Sequence, residues 1–194
     1  MVREIGMMKS SRRHQVGATL LEALAFLGIA AIVVVGAISM FRAAQGSAQA
    51  KDMVSQLNGI RSSVKTLYAT QAASCAGCLS LINAELLAAK AFPDTLRTNP
   101  PIQVFNMWAG PVLVRAGDIS AQTLGAASDG YSIQYRNVPQ EICLKVAPQI
   151  GGSWVGLTIN GNPFVSTDVE AFPVATASAQ CTAGSSNGLT FYFN

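Results

Sequence analysis

Residues 23–41 form a run of 19 without a single charge, and this run limits what the chain can become. Coiled as an α-helix at about 1.5 Å per residue, such a run is long enough to cross a bilayer core of roughly 30 Å. The whole chain is 50% hydrophobic and 12% charged, which is apolar for a soluble protein, and this stretch holds much of the excess. After Arg42 the composition becomes that of an ordinary small α+β domain.

The charge is as uneven as the hydropathy. Residues 1–17 carry Arg3, Lys9, Arg12 and Arg13 against Glu4, which accounts for the whole net charge of +3. The remainder is neutral, with no clustered Lys/Arg stripe, so nucleic-acid binding is not expected. A basic segment ahead of an apolar run tends to stay on the cytoplasmic side. The expected topology is therefore a single pass with the N-terminus inside and everything beyond Phe41 outside. Four cysteines, Cys75, Cys78, Cys143 and Cys181, all fall on that outer side. An even count in an oxidising compartment points to two disulfides.

The helical pattern continues past the apolar run. Val54, Leu57, Ile60 or Arg61, Val64, Leu67 and Tyr68 recur at steps of three and four, giving one apolar face. Arg42, Lys51, Asp52, Arg61 and Lys65 lie mostly off it. The first proline is Pro93. One helix over residues 18–71 is predicted, apolar all round in its first half and amphipathic in its second. Ser80 is placed to cap a short helix over 81–91 that Pro93 ends. Asn99, Pro100 and Pro101 read as a loop. Residues 111–116 and 130–136 read as strands, the second with alternating Tyr131, Ile133 and Tyr135. A helix starting with Pro139 at its first position carries Cys143 and ends near Pro148. Residues 153–159 form a strand closed by a turn at Asn160 and Gly161. Residues 162–187 read as irregular, and residues 189–193 as a last apolar, aromatic strand.

The most informative motif is Gly17-Ala18-Thr19-Leu20-Leu21-Glu22, directly ahead of the apolar run. It resembles the processing site of type IV prepilins: a glycine before the cut, four residues, then a glutamate. The resemblance covers the leader and the first helix by motif, and the rest by layout. It implies cleavage between Gly17 and Ala18 by a membrane peptidase, N-methylation of Ala18, and polymerisation into a surface fibre. A glycine lets the peptidase approach the backbone closely. Glu22 sits one turn inside an apolar helix, where an acid is costly, roughly 2.5–3.5 kcal/mol at a helix centre and less near the interface. The resemblance supplies its partner: the positive N-terminus of a neighbouring subunit, whose pairing with Glu22 sets the axial register. The longer leader, and Ala18 where type IVa pilins have phenylalanine, look like the type IVb kind, which includes thin and conjugative pili.

Two plainer readings fit part of this. An ordinary secretory signal has a basic start, an apolar core and a small-residue cut site, which Ala48-Gln49-Ala50 resembles. Its core is usually shorter, and a signal leaves the Gly17–Glu22 spacing as coincidence. A single-span anchor explains the run but not Glu22. Either would leave a secreted or anchored binding domain instead of a fibre subunit.

By resemblance, Cys143 and Cys181 are the pair that closes the C-terminal loop of type IV pilins. Closing about 38 residues restricts the unfolded chain by roughly 4 kcal/mol in the entropy model. Cys75-Ala-Gly-Cys78 has redox-motif spacing but lacks a βαβ context. It reads as a structural disulfide at the end of the long helix, with free thiols as the main alternative. The sole histidine is His14, in the leader, so the mature chain has no imidazole for a catalytic triad or a His-ligated metal. No phosphate loop is present. Asp168 and Glu170 read as a solvated loop; Trp108, Trp154 and Phe191-Tyr192-Phe193 read as core or subunit contacts.

The expected fold is α+β, a long N-terminal helix packed by its second half on an antiparallel sheet. The expected organisation is a leader, 1–17, a long helix, 18–71, with its membrane or fibre-core part at 18–41, and a head domain, 72–194. No enzyme activity, cofactor or metal is expected. The implied partners are other pilin subunits, the prepilin peptidase, the inner-membrane assembly machinery, lipid before assembly, and a receptor on a host or recipient cell. A minor pilin or a secretion-system pseudopilin shares most of these features. The late cysteine pair favours a pilin, because pseudopilins more often secure that region with calcium.

Overall fold

The computed structural model describes residues 19–68, 79–118, 129–149, 155–165, 172–184 and 186–193. Helix α1 runs over Leu20–Leu67. Ala18 and residues 69–71, the ends of the predicted helix, lie outside the described residues. The chain divides into two units, Met1–Arg42 and Ala43–Asn194.

In the second unit, residues 43–67 of α1 bury Gly46, Ala50, Met53, Gln56, Leu57, Ile60 and Val64. Most of these follow steps of four and three, a narrow seam that keeps one line of side chains against a flat partner. The seam is rotated from the expected face. Val54 and Tyr68 flank it half-buried, and Leu67 is exposed. Ile60, not Arg61, enters the core. Arg61 is not off the packed side either: its guanidinium carbon lies 5.4 Å from the centre of the Phe193 ring, a cation–π contact.

The partner is a six-stranded antiparallel sheet. Its strands are β1 (Leu79–Leu81), β4 (Val112–Asp118), β5 (Asp129–Val138), β6 (Gly156–Ile159), β7 (Asn162–Val165) and β8 (Asn187–Phe193). They lie in the order β1-β4-β5-β8-β6-β7, so the last strand in sequence is inserted between β5 and β6. Period-two alternation directs Tyr131, Ile133 and Tyr135 of β5, and Leu189, Phe191 and Phe193 of β8, into the core. Register sets Phe191 between Ile133 and Leu157. Tyr131 and Phe193, also opposite one another, stack with ring centres 5.2 Å apart. A separate hairpin pairs β2 (Arg97–Asn99) with β3 (Gln103–Phe105).

Several local expectations are corrected. Ser80 does not cap a helix: it lies within β1, which pairs with Arg115, Ala116 and Gly117 of β4. Helix α2 is confined to Asn83–Ala88, with Ile82 at its N-cap and no side-chain cap bond. The Asn83 side chain is turned to other use, donating to the carbonyls of Ile102 and Val112 and accepting from the Val114 N–H. Asn99 ends β2, so the turn is made by the two prolines, joined by a cis peptide, and Ile102. Pro139 stands at the N-cap of α3 (Gln140–Val146), not inside it. The region read as irregular contains β7 and helix α4 (Val174–Gln180). The turn at Asn160 and Gly161, with φ of 51° and 86°, returns the chain directly onto β6. Three alanines among seven residues after Pro173 favour the helix.

Candidate assembly site and the disulfide-closed region

Helix α1 opens with Thr19. The Glu22 N–H donates to Thr19 Oγ1 at 3.3 Å and the Ala23 N–H to the Thr19 carbonyl at 3.0 Å. Thr19 therefore serves as N-cap and Glu22 occupies the third helical position. The signal, Thr-x-x-Glu before an apolar run, is in the sequence and the reading above missed it. Glu22 thus has a local role, a negative charge at the positive end of the helix dipole.

Beyond the cap, the large apolar side chains are uncovered within the chain. Leu20, Leu24, Phe26, Ile29, Ile32, Val35 and Phe41 are all exposed. Residues 20–41 thus offer about six turns of helix, apolar on every side, with one carboxylate in the first turn. This is far more than the few hundred Å² of contiguous apolar surface that a soluble monomer leaves in water. The helix is long and apolar enough to cross a membrane.

Within the second unit, α3 is fastened to α1 by one lysine. Lys145 Nζ donates to Glu141 Oε1 at 2.7 Å, to Ser47 Oγ at 3.3 Å and to the Ala43 carbonyl at 3.4 Å. Glu141 occupies the space that a side chain at Gly46 would need.

Cys143 on α3 and Cys181 just after α4 are joined as a disulfide, Cα to Cα 5.9 Å. The pair expected by resemblance is formed, and it closes a 38-residue separation containing β6, β7 and α4. A second tie runs through Asn187, which is fully buried. Its Oδ1 accepts from Asn160 Nδ2 and from the Thr182 N–H, each at 2.8 Å, and its Nδ2 donates to the Val138 carbonyl at 3.0 Å. Asn106 works similarly under Trp108, accepting from the Trp108 and Gly110 N–H groups and donating to the Arg136 carbonyl. Nothing in the spacing of these asparagines marked them; their role depends on carbonyls 30 to 49 residues away.

Gly17, Ala18, Cys75, Cys78, Trp154, Asp168 and Glu170 lie outside the described residues. Trp108 is half-buried against the core, and Phe191, Tyr192 and Phe193 are buried. Among the described residues no group of three or more His, Cys, Asp or Glu could hold a metal ion.

Residues 47–194 match the PilS N-terminal family. The chain belongs to the PilS family. A type IVb pilin from Salmonella typhi, known from a crystal structure, shares this fold, with a TM-score of 0.53 and 24% identity over 72% of this chain and 98% of that one. The NMR structure of the type IVb pilin PilS from Salmonella typhi is 23% identical over 75% of this chain and 96% of that one, with a TM-score of 0.44. No curated protein matches the chain. Family membership thus rests on residues 47–194, and the crystal structure shows that the fold is shared. The PilS match takes in the amphipathic part of α1, the sheet and the Cys143–Cys181 loop, and it begins after the exposed apolar helix.

Proposed function

We propose that this chain is the precursor of a type IVb pilus subunit, cut between Gly17 and Ala18 and N-methylated at Ala18 by a prepilin peptidase. Residues 1–17 are the leader. Residues 18–41 hold the subunit in the inner membrane, N-terminus inside, and later form the fibre core; residues 72–194 form the head. The observation that carries this reading is the uncovered apolar helix over residues 20–41 with a single carboxylate, Glu22, in its first turn. Lipid covers that surface before assembly and neighbouring helices cover it afterwards. In the lone subunit Glu22 is served by its own helix terminus. In the fibre it meets the terminal amine of an adjacent subunit, which fixes the axial register. The fibre serves contact: adhesion, aggregation or mating-pair formation.

The test is N-terminal sequencing of sheared surface fibres. A mature chain beginning with N-methylated Ala18 is expected. A mature terminus at Lys51, after Ala48-Gln49-Ala50, would instead identify an ordinary secretory signal and overturn the reading.

A further inference from the structure

The face of the sheet turned away from the core carries a polar hollow of about 560 Å³. That size is within the range of small-molecule sites. Register builds it in rows across three strands. Gln134 of β5, Thr190 of β8 and Thr158 of β6 stand side by side. Gln134 Nε2 donates to Thr190 Oγ1 at 3.1 Å, and Arg136 Nε reaches Gln134 Oε1 at 3.3 Å. Thr158 Oγ1 is buried and has no hydrogen-bond partner among the described residues. Asn160 forms a fixed wall, its Oδ1 accepting from the Gly188 N–H at 2.8 Å and its Nδ2 donating to the Gln180 carbonyl at 2.9 Å.

Two features separate this hollow from a merely solvated sheet face. The first is Gly188, on the central strand. A Cβ there would meet nothing within 4 Å, and its φ is not in the left-handed region. The fold does not require a glycine at this position; its effect is to leave the floor open. The second is charge. The lining includes the Arg136 guanidinium and no carboxylate, and among the described residues Arg136 has no acidic partner. A guanidinium whose terminal nitrogens are free matches a carboxylate in a planar, two-point contact.

We propose that this hollow binds a sugar bearing a carboxylate, the acid on Arg136 and the ring hydroxyls on Gln134 and Thr190. The lining of hydroxyls and amides suits a ligand made of hydroxyls. The proposal does not depend on where the N-terminus is cut.

The experiment is saturation-transfer NMR on the full chain in detergent micelles and on sheared fibres, with 3′-sialyllactose as the acidic probe and lactose as the neutral one. Wild-type protein should bind 3′-sialyllactose in both forms, and lactose about tenfold more weakly or worse. R136Q should bring the two sugars to equal, weak binding. G188V should abolish both while leaving the thermal midpoint within a few degrees of wild type. Equal affinity for both sugars in the wild type, no binding of either, or binding undiminished in G188V would overturn the proposal. So would binding by micelle-held subunits but not by fibres, which would make the hollow a contact between subunits. Should G188V fail to fold, T190V serves as the floor variant: unchanged affinity for 3′-sialyllactose would also refute it.

Discussion

Asn187 holds both sides of Thr182: its Oδ1 accepts from the Thr182 N–H at 2.8 Å and its Nδ2 donates to the Thr182 carbonyl at 3.0 Å. The same side chain binds the Val138 carbonyl, so one amide joins the end of β5, the start of β8 and the residue next to Cys181. Replacing it with alanine strands several buried backbone groups at once. Each costs about 1–3 kcal/mol when left unpaired. Asn187→Ala should therefore lower stability by about 2–4 kcal/mol with the disulfide intact. Denaturant unfolding of non-reduced protein measures it; a loss below about 1 kcal/mol would mean water replaces the amide.

The disulfide acts on the same region by a different route. It restricts the unfolded chain across a separation of 38 residues, worth about 4 kcal/mol in the entropy model. Cys143→Ser should lower the unfolding midpoint and the fibre yield. The double variant with Asn187→Ala should lose less than the sum of the two, because both hold the stretch beside Cys181. Strict additivity would show the two ties to be independent.

Two glycines make a paired test of close approach. At Gly110 a Cβ would overlap the backbone carbonyl of Arg136. Backbone within a sheet cannot step aside, so Gly110→Ala should destabilise by about 2 kcal/mol or more. At Gly46 the obstruction is the Glu141 side chain, about half exposed and able to turn away. There the gain in helix propensity, about 0.5–1 kcal/mol, offsets the disturbed Lys145 contacts. Gly46→Ala should be near neutral. Chemical denaturation of both variants checks the contrast, and a larger loss at Gly46 would reverse this assignment.

How far the sequence reveals this structure depends on the range of the contacts involved. The long helix, β5 and β8 were legible because their patterns are local. The Asn160–Gly161 turn was legible for the same reason. The rotation of the α1 seam toward Ala50 and Met53 was not, because an alanine and a methionine join a seam only once the facing sheet is known. Ser80 failed as a cap because β4, where its partner is Ala116, competes for it. The alanine-rich stretch before Cys181 carries too little hydrophobic contrast to announce α4. At the start of α1, the Thr19 cap was passed over although its pattern is as local as the Gly17–Glu22 spacing beside it.

Alkaline pH should unfold the head domain through two tyrosines. Tyr131 and Tyr135 are buried in the core, and among the described residues neither hydroxyl has a hydrogen-bond partner. Burial pushes Tyr131 up from 10.0 to about 12, against a smaller opposing pull from the nearby Arg61 guanidinium, and burial raises Tyr135 as well. Between about pH 10 and 12 the unfolded chain has released protons that the folded chain keeps. The unfolded state then binds fewer protons, so stability falls as pH rises, by about 1.4 kcal/mol per unit for each such group. Below pH 10 the contribution is fully present. Tyr135→Phe removes a buried, unpaired hydroxyl and should be neutral or stabilising at pH 7, with a shallower alkaline decline. An unchanged decline in both Tyr131→Phe and Tyr135→Phe would assign it to other groups.

The last prediction concerns Glu22, whose cap and charge can be separated. The bond from residue 22 to Thr19 Oγ1 is made by its backbone N–H, so it survives Glu22→Ala. The helix keeps its start, losing only the favourable charge at its N-terminus, worth about 0.3–1 kcal/mol. Membrane insertion depends on the uncharged run and should be unaffected. Cleavage after Gly17 should be largely preserved. Assembly is different, because an all-apolar helix has no polar feature to fix how far it slides along its neighbours. The neighbour's terminal amine also loses its counter-charge in a dry environment, a cost of a few kcal/mol. Processed Glu22→Ala subunits should therefore accumulate in the inner membrane with few or no surface fibres. Glu22→Asp should be intermediate, since it keeps the charge but loses reach. Thr19→Ala, which removes the cap and keeps the charge, should still assemble. Shear recovery beside the membrane fraction, with both N-termini sequenced, reads all three. Wild-type fibre yield from Glu22→Ala would show that side-chain packing alone sets register, and fibre loss in Thr19→Ala equal to that in Glu22→Ala would show that the helix start matters and the charge does not.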